Sequence, residues 1–547
     1  MSAESAQARR AIVFVPFPAQ GHVTPMLHLA RALADRGGVA ATLAVPDFVH
    51  RRMMSQDGGD NDNAAGRVAL VPIPSGVPDD GGDEPPGFAS IVHAMEHHMP
   101  AHLEGLLLAM ARAAGRGGAA ACLVVDVLAS WAVPVAARCG VPAVGFWPVM
   151  FASYRVVAAI PELISNGFIS GTGTPLPPST NKINEADSKG RKLGDLDILP
   201  SKLELSTADL PWLVGSAASR QSRFAFWLQT VDRAKSLDCI LVNSFPGEGA
   251  GDADRPYDPP PGQRILHVGP LFDDDSLGRP PCRKSTAAAA AAMWQADPTC
   301  MEWLDRQSPG SVVYVSFGSW VAPIGPDKIA QFALGLEAAG RPFLWVLKSH
   351  PSWRAGLPDQ FAETVAAAGR GKIVTWAPQE DVLRHGAVGC YVTHCGTNSA
   401  LEAIRHGVRM ICYPISGDQF INSAYIVNMW GAGIALASSN RDCVKDCIER
   451  VMEGEEGRRL QENVARMREM VMVGEGRSIA KRNLDLFLEG IIKSDDASYR
   501  NHQQGGVVPL TSFIRKAQDV QYSNPRHSEE GRYRGESRNV SYNFDFR

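Results

Sequence analysis

The 547-residue sequence lacks several features that would place it in other functional classes. No apolar run reaches the roughly 18 residues that a membrane-spanning helix needs, and the short run AIVFVPF near the start lacks a small-residue cleavage site and predicts a first strand. The ten cysteines form no C-x-x-C pair and no regular framework, which favours a reducing, cytoplasmic location. Neither sign of charge dominates: the net charge of −4 argues against nucleic acid as a partner, because phosphate backbones select strongly basic surfaces.

What the sequence does contain is an alternation of short apolar runs with helical patterns. In the first half, AIVFVPF, VAATLAVP, LVVDVL and PAVGFW alternate with patterns such as MLHLARALADRG, and a second alternation begins at SVVYVSFGS. Such alternation predicts parallel strands with crossover helices. With 45% apolar content, 547 residues can fill two cores. The predicted fold class is therefore α/β, with two facing Rossmann-like doubly wound domains and a cleft between them.

Composition also sets the expected domain boundaries. The stretch around Pro280 contains acids, a Pro-Pro pair and an alanine run, which are typical of a linker, and the end of the chain is polar without periodicity. We expect a first domain over 1–272, a linker over 273–298, a second domain over 299–476, a helix over 477–493 that returns to the first domain, and a disordered tail over 494–547.

The most informative segment runs from Trp376 to Gln419. Trp376 follows an apolar run, where its indole can stack on a base while Gln379 hydrogen-bonds the base or its ribose. Small and polar residues then lead from the run GCYV into the helical pattern ALEAIRHG, which sets backbone N–H groups and a helix dipole against an anion. Glu402, one helical turn further on, suits ribose hydroxyls, because its carboxylate would repel phosphate. The segment predicts a site for a nucleotide-sugar.

This segment resembles, nearly position for position, the donor-binding signature of plant family 1 UDP-dependent glycosyltransferases. An ordinary strand, loop and helix would match it only by chance, since nine positions are in register: Trp376, Gln379, His394, Gly396, Asn398, Ser399, Glu402, Asp418 and Gln419. A looser resemblance extends from about Ala11 to about Leu488. It implies a GT-B fold, with an acceptor-binding first domain and a UDP-sugar-binding second domain. It also implies UDP-glucose as co-substrate with no other cofactor, and a donor site made of Ser319, Trp376, Ala377, Gln379, His394, Gly396, Thr397, Asn398, Ser399, Glu402, Asp418 and Gln419.

One position departs from the family pattern. The family usually has Trp directly after the His-Cys-Gly triplet, where this chain has Thr397. In the family that site meets the donor sugar largely through its backbone N–H, which Thr retains, but the indole surface that packs the sugar pocket is lost. The pair Asp418-Gln419 resembles the family's contact to hexose hydroxyls, and Gln there resembles the glucose-using members. We therefore expect glucose as the sugar, with Thr397 bearing on donor affinity and sugar choice.

Two residues of the first half are candidates for catalysis. His22 follows the first apolar strand and Asp126 follows the strand ACLVVD, so both fall at carboxyl ends of strands, where a cleft is expected. An imidazole whose far nitrogen is held by a carboxylate is fixed in one tautomer and is a better base. The alternatives are a helix-capping or buried structural histidine for His22 and a strand-end cap for Asp126. The family resemblance assigns base to His22 and orienting acid to Asp126.

The resemblance implies a hexosyltransferase that works by direct displacement. His22 takes the proton of an acceptor hydroxyl as its oxygen attacks the anomeric carbon, and UDP leaves from the opposite face, so an alpha-linked donor gives a beta-glycoside. We expect no metal, since His394, Ser319, Asn398, Ser399 and the helix dipole can neutralise the leaving diphosphate. The expected partners are a UDP-sugar and a small lipophilic acceptor of the plant secondary-metabolite type.

Two other patterns invite a functional interpretation. His93-Ala94-Met95-Glu96-His97 has the H-x-x-E-H spacing of some zinc peptidases, but no third protein ligand follows at a recognisable spacing, which favours a polar helix face beside the acceptor cleft. An aromatic-rich stretch is expected to supply mostly core residues and some lining of an apolar acceptor pocket; its members are Trp131, Phe146, Trp147, Phe151 and Tyr154.

Two hypotheses of function follow. The first is an active, inverting, His-Asp-assisted glucosyltransferase that uses UDP-glucose on a small lipophilic metabolite. The second is a UDP-sugar-binding protein with little or no turnover, motivated by Thr397 and the unusual tail. The presence of both His22 and Asp126 favours the enzyme.

Overall fold

A computed structural model describes residues 10–55, 68–78, 85–113, 120–177, 190–245, 248, 257–272 and 293–501. Most of the predicted linker, residues 273–292, lies outside this part of the chain. So do residues 502–547 of the predicted tail.

The first sheet consists of seven parallel strands. They are β1 (Arg10–Val15), β2 (Val39–Pro46), β3 (Val68–Ile73), β4 (Ala120–Asp126), β5 (Ala143–Trp147), β6 (Cys239–Val242) and β7 (Arg264–His267). They pair in the order β3-β2-β1-β4-β5-β6-β7. The central strands are apolar along most of their length, and Ile12 to Val15 are fully buried, as expected for a parallel sheet covered on both faces.

The second sheet consists of six parallel strands. They are β8 (Val312–Ser316), β9 (Phe343–Val346), β10 (Gly371–Val374), β11 (Val388–Thr393), β12 (Arg409–Cys412) and β13 (Gly433–Ala435). Their order is β10-β9-β8-β11-β12-β13. Two parallel sheets of this kind confirm the predicted α/β class with two Rossmann-like doubly wound domains.

Helices cover both sheets. The first domain contains α1 (Gln20–Asp35), α2 (Asp47–Ser55), α3 (Phe88–His93), α4 (Met99–Ala113), α5 (Ala132–Arg138), α6 (Phe151–Ala158), α7 (Ile160–Ser165) and α8 (Ala217–Ala234). The rest of the chain contains α9 (Thr299–Leu304), α10 (Pro326–Ala338), α11 (Pro351–Arg354), α12 (Phe361–Ala367), α13 (Gln379–Arg384), α14 (Thr397–His406), α15 (Gln419–Ala424), α16 (Arg441–Met452), α17 (Gly454–Met472) and α18 (Glu475–Asn501). A π-helical turn, Ala94–His98, joins α3 to α4, and another, Tyr425–Met429, follows α15. Within the described segments, no helix is long and apolar enough to cross a membrane.

Each sheet has a point between two neighbouring strands where its strand order reverses. In the first sheet the order reverses between β1 and β4, and in the second between β8 and β11. Ligands of doubly wound sheets bind beyond the carboxyl ends of strands at such a reversal. His22, Ser319 and His394 follow β1, β8 and β11, and Asp126 is the last residue of β4.

The last helix, α18, packs against the first domain. Asn483 donates a hydrogen bond to the carbonyl of His267 at the end of β7 (2.8 Å), and Arg36, directly after α1, pairs with Asp485 (2.7 Å). Phe487 and Ile491 are fully buried in the first domain's core. The helix continues to Asn501, eight residues beyond the predicted end at 493.

Candidate active site

A cleft of about 780 Å³ lies between the two domains and is lined by both. Of the fourteen residues that the sequence nominated, thirteen line this cleft: His22, Ser319, Trp376, Ala377, Gln379, His394, Gly396, Thr397, Asn398, Ser399, Glu402, Asp418 and Gln419. The fourteenth, Asp126, is fully buried behind His22. Residues nearly 400 positions apart in sequence therefore face one space.

His22 lies in the first turn of α1, and its side chain is held in place from behind. Its Nδ1 is 2.7 Å from Oδ2 of Asp126. Its ring also packs against Phe17, with the ring centroids 5.2 Å apart. Because Nδ1 is engaged by a buried carboxylate, Nε2 is the nitrogen that remains to accept a proton.

Asp126 holds more than the imidazole. Its Oδ1 accepts a hydrogen bond from the backbone N–H of Leu128 (2.9 Å), and its Oδ2 accepts one from the N–H of Phe17 (3.2 Å). The carboxylate thus caps the short 3₁₀ turn that follows β4 and also orients His22. Asp126 therefore caps the end of the strand, which was the alternative role considered for it, and it also contacts His22.

The start of α14 faces the cleft from the second domain. Gly396 is its N-cap residue, and no acidic residue lies in its first turn. The first N–H groups of a helix have no intrahelical acceptor and carry the positive end of its dipole. Asn398 also reaches the other domain, since its Nδ2 donates to the carbonyl of Gly21 (3.0 Å), next to His22. The second-domain wall therefore offers an anion site beside the imidazole.

Two glycines make room for the imidazole of His394. A Cβ built on Gly318 or on Gly396 would lie 2.5 Å from Nε2 of His394, and Gly318 also has a φ of +79° that disfavours other residues. Burial lowers the pKa of His394 to about 4. His394 is therefore neutral at pH 7, and it can meet an anion as a hydrogen-bond donor without a full charge.

Gln379 joins a network that the sequence interpretation missed. The hydroxyls of Tyr314 and Tyr391 donate to its Oε1 (3.2 and 3.0 Å), and its Nε2 donates to Glu402 (2.7 Å) and to Ser399 (3.0 Å). The two tyrosines are direct partners in the β8–β11 pair, and their rings stack 4.9 Å apart. A signal was present in the sequence: β8 ends in Tyr-Val-Ser and β11 in Tyr-Val-Thr.

Burial raises the pKa of Glu402 to about 8, with the nearby charge of Glu380 adding to the rise, while the hydrogen bond from Gln379 and the charge of Arg405 lower it. Near neutral pH this carboxyl therefore holds its proton for much of the time. A ligand hydroxyl that donates to it favours the ionised form.

Thr397 lies at the centre of a second network. Its Oγ1 accepts from the backbone N–H of Met150 in the first domain (3.3 Å) and from Nδ2 of Asn422 (3.2 Å). The same Asn422 nitrogen donates to Asp418 (2.9 Å). Burial raises the pKa of Asp418, whereas these hydrogen bonds and the nearby imidazole of His22 lower it without cancelling the rise. A hydroxyl thus links the two domains at the position where the family usually has an indole.

Trp376 and Gln419 also line the second-domain wall of the cleft. The ring of Trp376 lies 5.0 Å from that of Trp294 at an interplanar angle of 32°. The Oε1 of Gln419 accepts from the backbone N–H groups of Ile415 and Ser416 (both 2.9 Å), which fixes its amide.

The first-domain wall of the cleft carries a group of aromatic rings. Phe17, Phe88, Phe226 and Trp227 line it, together with Arg223 of α8. Of the aromatic stretch that the sequence singled out, only Trp147 lines the cleft, while Trp131 and Phe146 are buried in the core and Phe151 packs against Tyr154. The rings on this wall come from three separated segments, which gave no local signal.

The H-x-x-E-H pattern takes part in packing. Both carboxylate oxygens of Glu96 accept from Arg233 of α8 (2.8 Å each), and His93 and His97 touch ring to ring at 4.7 Å. No group of three His, Cys, Asp or Glu side chains is placed to hold a metal ion among the residues that the structure describes. None of these pattern residues lines the cleft.

Comparisons with known proteins agree with this geometry. A family model described as UDP-glucoronosyl and UDP-glucosyl transferase matches residues 286–470, and a glycosyltransferase N-terminal domain model matches 8–140. The chain is 41% identical to UDP-glycosyltransferase 82A1 of Arabidopsis thaliana, over 86% of this chain and 96% of that protein. It is 35% identical to DIMBOA UDP-glucosyltransferase BX8 of Zea mays, over 82% and 90%. The crystal structure of Os79 from O. sativa in complex with UDP has a TM-score of 0.67 at 29% identity, over 88% of this chain and all of that one.

Proposed function

The chain belongs to the plant UDP-glycosyltransferases, and from that premise we propose that it moves glucose from UDP-glucose to a hydroxyl of a small lipophilic metabolite with inversion at the anomeric carbon. The first domain binds the acceptor and the second binds the UDP-sugar. The glucosyltransferase among the similar proteins and the UDP in the similar structure support this choice of donor. The expected cytoplasmic location stays a prediction.

The pairing of His22 with Asp126 carries this proposal. The imidazole lines the cleft on one wall, and its Nδ1 is 2.7 Å from a fully buried carboxylate. Such a pair suits removal of a proton from an acceptor hydroxyl as its oxygen forms the new bond. The imidazolium that results is stabilised by Asp126.

The opposite wall supplies groups for the leaving UDP. The N-terminus of α14, His394, Asn398 and Ser399 offer hydrogen-bond donors at one place, where a developing negative charge is stabilised without reorganisation. Attack from the first-domain wall and departure toward the second-domain wall place the two oxygens on opposite sides of the anomeric carbon. Inversion without a metal ion is the chemistry that this arrangement favours.

Turnover by the purified full chain tests the proposal. UDP release and glycoside formation are measured with UDP-glucose and a panel of phenolic and terpenoid alcohols, with and without EDTA. His22→Ala should lower kcat by roughly 10²- to 10⁴-fold, as expected for loss of a general base. His102→Ala, which removes an exposed imidazole of α4, should leave the rate unchanged.

The anomeric configuration of the product is assigned by NMR coupling constants, and a beta-glycoside is expected. An alpha product, or full activity in His22→Ala, would refute this mechanism. Loss of activity in EDTA that Mg²⁺ restores would refute its metal independence. Tight UDP-glucose binding with no release of UDP for any acceptor would favour the binding-protein hypothesis.

A further inference from the structure

We propose that the preferred acceptor carries a carboxylate, which binds to Arg223, in addition to the hydroxyl that faces His22. This inference rests on the proposed function and adds a substrate class to it. The carboxylate is bound and does not react. The acceptor's hydroxyl oxygen forms the bond to the anomeric carbon, its proton goes to His22, and the anomeric carbon–oxygen bond breaks with its electron pair leaving on UDP.

Arg223 has an uncommon place for a guanidinium. It lies on α8 and lines the cleft, with its guanidinium carbon 4.1 Å from the centroid of the Phe88 ring. A guanidinium over an aromatic face is held flat and keeps its N–H edge for a planar partner such as a carboxylate. Burial lowers the pKa of Arg223, and no neighbouring carboxylate offsets that effect.

A second arginine on α8, Arg233, has the carboxylate partner that Arg223 lacks. Arg233, ten residues further along the helix, donates two hydrogen bonds of 2.8 Å to Glu96. Arg223 makes neither a hydrogen bond nor an ion pair with any residue that the structure describes. A partly buried cation without an anion is costly, so an acidic ligand gains more from Arg223 than from a solvated arginine.

A continuous set of ring contacts connects the base to this cation. His22 touches Phe17, Phe17 touches Phe226, and Phe226 meets Phe88 edge to face, with centroid separations of 5.2, 6.5 and 5.4 Å. Arg223 lies over the last of these rings. This wall fits a flat lipophilic body with a hydroxyl at one end and an acid at the other.

Charges on the two walls orient such a molecule. The carboxyl groups that line the cleft belong to the second domain and are Glu380, Asp381, Glu402 and Asp418. Arg223 is the only arginine or lysine among the described lining residues, and it belongs to the first domain. An acidic acceptor is therefore attracted to the first-domain wall, where its carboxylate meets Arg223 and its hydroxyl lies toward His22.

Matched pairs of hydroxy acids and their methyl esters test the proposal. We would measure kcat/KM for 4-hydroxycinnamic, 4-hydroxyphenylacetic and 4-hydroxyphenylpropionic acids and for their esters. The wild type should prefer acids by about tenfold or more, the gain expected from one charge-assisted bidentate pair. Arg223→Gln should remove that preference by lowering the rates with acids while rates with esters change less than about twofold, and Arg223→Lys should retain part of it.

Arg220→Gln is the matched control, because Arg220 is exposed one turn earlier on the same helix and does not line the cleft. Its preference for acids should equal that of the wild type. A wild type that prefers esters would overturn the proposal, and so would an equal loss on acids and esters in Arg223→Gln. An alkali-labile acyl glucose as the product would also overturn it, since that places the carboxylate at His22.

Two further measurements distinguish failure of the proposed function from failure of the carboxylate proposal. If no acceptor is glucosylated, the proposed function fails, but calorimetry of acids and esters with the UDP-loaded protein still tests whether Arg223 binds the carboxylate.

The chain itself is a rival source of negative charge for Arg223, since Asp79, Asp80, Asp83 and Glu84 precede Phe88 in sequence and lie outside the described residues. If replacing these four by their amides creates a preference for acids that the wild type lacks, the chain neutralises Arg223 and the proposal is wrong.

Discussion

The two walls of the cleft differ in chemistry and in how they are held together. On the second-domain wall polar side chains hydrogen-bond one another, as in the set of Gln379, Tyr314, Tyr391 and Glu402. On the first-domain wall, rings contact rings, and Arg223 has no polar partner among the described residues. A wall of satisfied hydrogen bonds fits one ligand closely, whereas a wall of rings accepts many flat molecules. The difference matches a fixed donor and a variable acceptor.

The largest effect in this comparison is expected at Asp126, the buried carboxylate behind the first-domain wall. Asp126→Asn keeps the shape but replaces the acceptor that fixes the tautomer of His22. We expect kcat to fall by roughly 10²- to 10⁴-fold with little change in calorimetric affinity for UDP, and the melting temperature to fall as well, because one buried backbone N–H then faces the new amide NH2. A large loss of UDP affinity with unchanged kcat would show that Asp126 acts on the donor side.

The donor wall should be most sensitive to added volume at Gly318. In Gly318→Ala the new Cβ would lie 2.5 Å from Nε2 of His394 at a backbone φ of +79°, so the imidazole or the loop must move. We expect UDP affinity to fall by about tenfold or more. Gly407→Ala is the matched control, because Gly407 has a φ of +75° but nothing within 4 Å of its Cβ. Equal losses of UDP affinity in the two variants would attribute the effect to backbone strain alone.

A smaller effect is expected from the tyrosine pair. Tyr391→Phe removes one of two donors to Oε1 of Gln379, which frees the amide to rotate and loosens the position of Glu402. If Glu402 binds ribose hydroxyls, the preference for UDP over 2′-deoxy-UDP should fall by about three- to tenfold, the range of one net hydrogen bond. Calorimetry with both nucleotides measures this, and an equal weakening of the two would mean that Tyr391 has only a structural role.

The smallest effect is a pH dependence of donor binding. Burial raises the pKa of Glu402 to about 8, so a ligand that requires its carboxylate binds more tightly as pH rises through 8. We expect severalfold higher UDP affinity at pH 9 than at pH 7, and Glu402→Gln should abolish this difference.

Glu402 also makes the stability of the protein depend on pH, in the direction opposite to its effect on donor binding. The folded protein holds the proton of Glu402 more tightly than an unfolded chain, with its ordinary pKa near 4.5, does. The contribution of Glu402 to the free energy of unfolding therefore decreases as pH rises from 4.5 to about 8. A wild type that gains stability over this range relative to Glu402→Gln would contradict the pKa shift.

The sequence predicted the fold and the donor side far better than the acceptor side, for a physical reason. The donor residues from Trp376 to Gln419 lie in one continuous stretch of 44 residues, in the loops and helix starts around the neighbouring strands β11 and β12, so local backbone geometry places them together. The apolar alternation likewise specifies the strands and their parallel sense. Phe17, Phe88 and Phe226 come from three separated elements and meet only because α3 and α8 pack over the end of β1. No local sequence pattern predicts the contacts among these three rings.

The sequence interpretation missed two further features for different reasons. Tyr314 and Tyr391 read as ordinary core residues, since their functional atom is a single hydroxyl that becomes relevant only when β8 and β11 pair in register. Arg223 reads as one of many charged residues on an amphipathic helix. Its missing partner is a property of its neighbours in space.

The packing of α18 against the first domain has a consequence for biosynthesis. The second domain is encoded by one uninterrupted stretch, so it is complete in the nascent chain before α18 is made. The first domain is not, because Phe487 and Ile491, fully buried in its core, are translated after the whole second domain. The first domain therefore has part of its core exposed until α18 leaves the ribosome, and a premature stop before Glu475 should yield a chain that chaperones retain while its second domain is already formed.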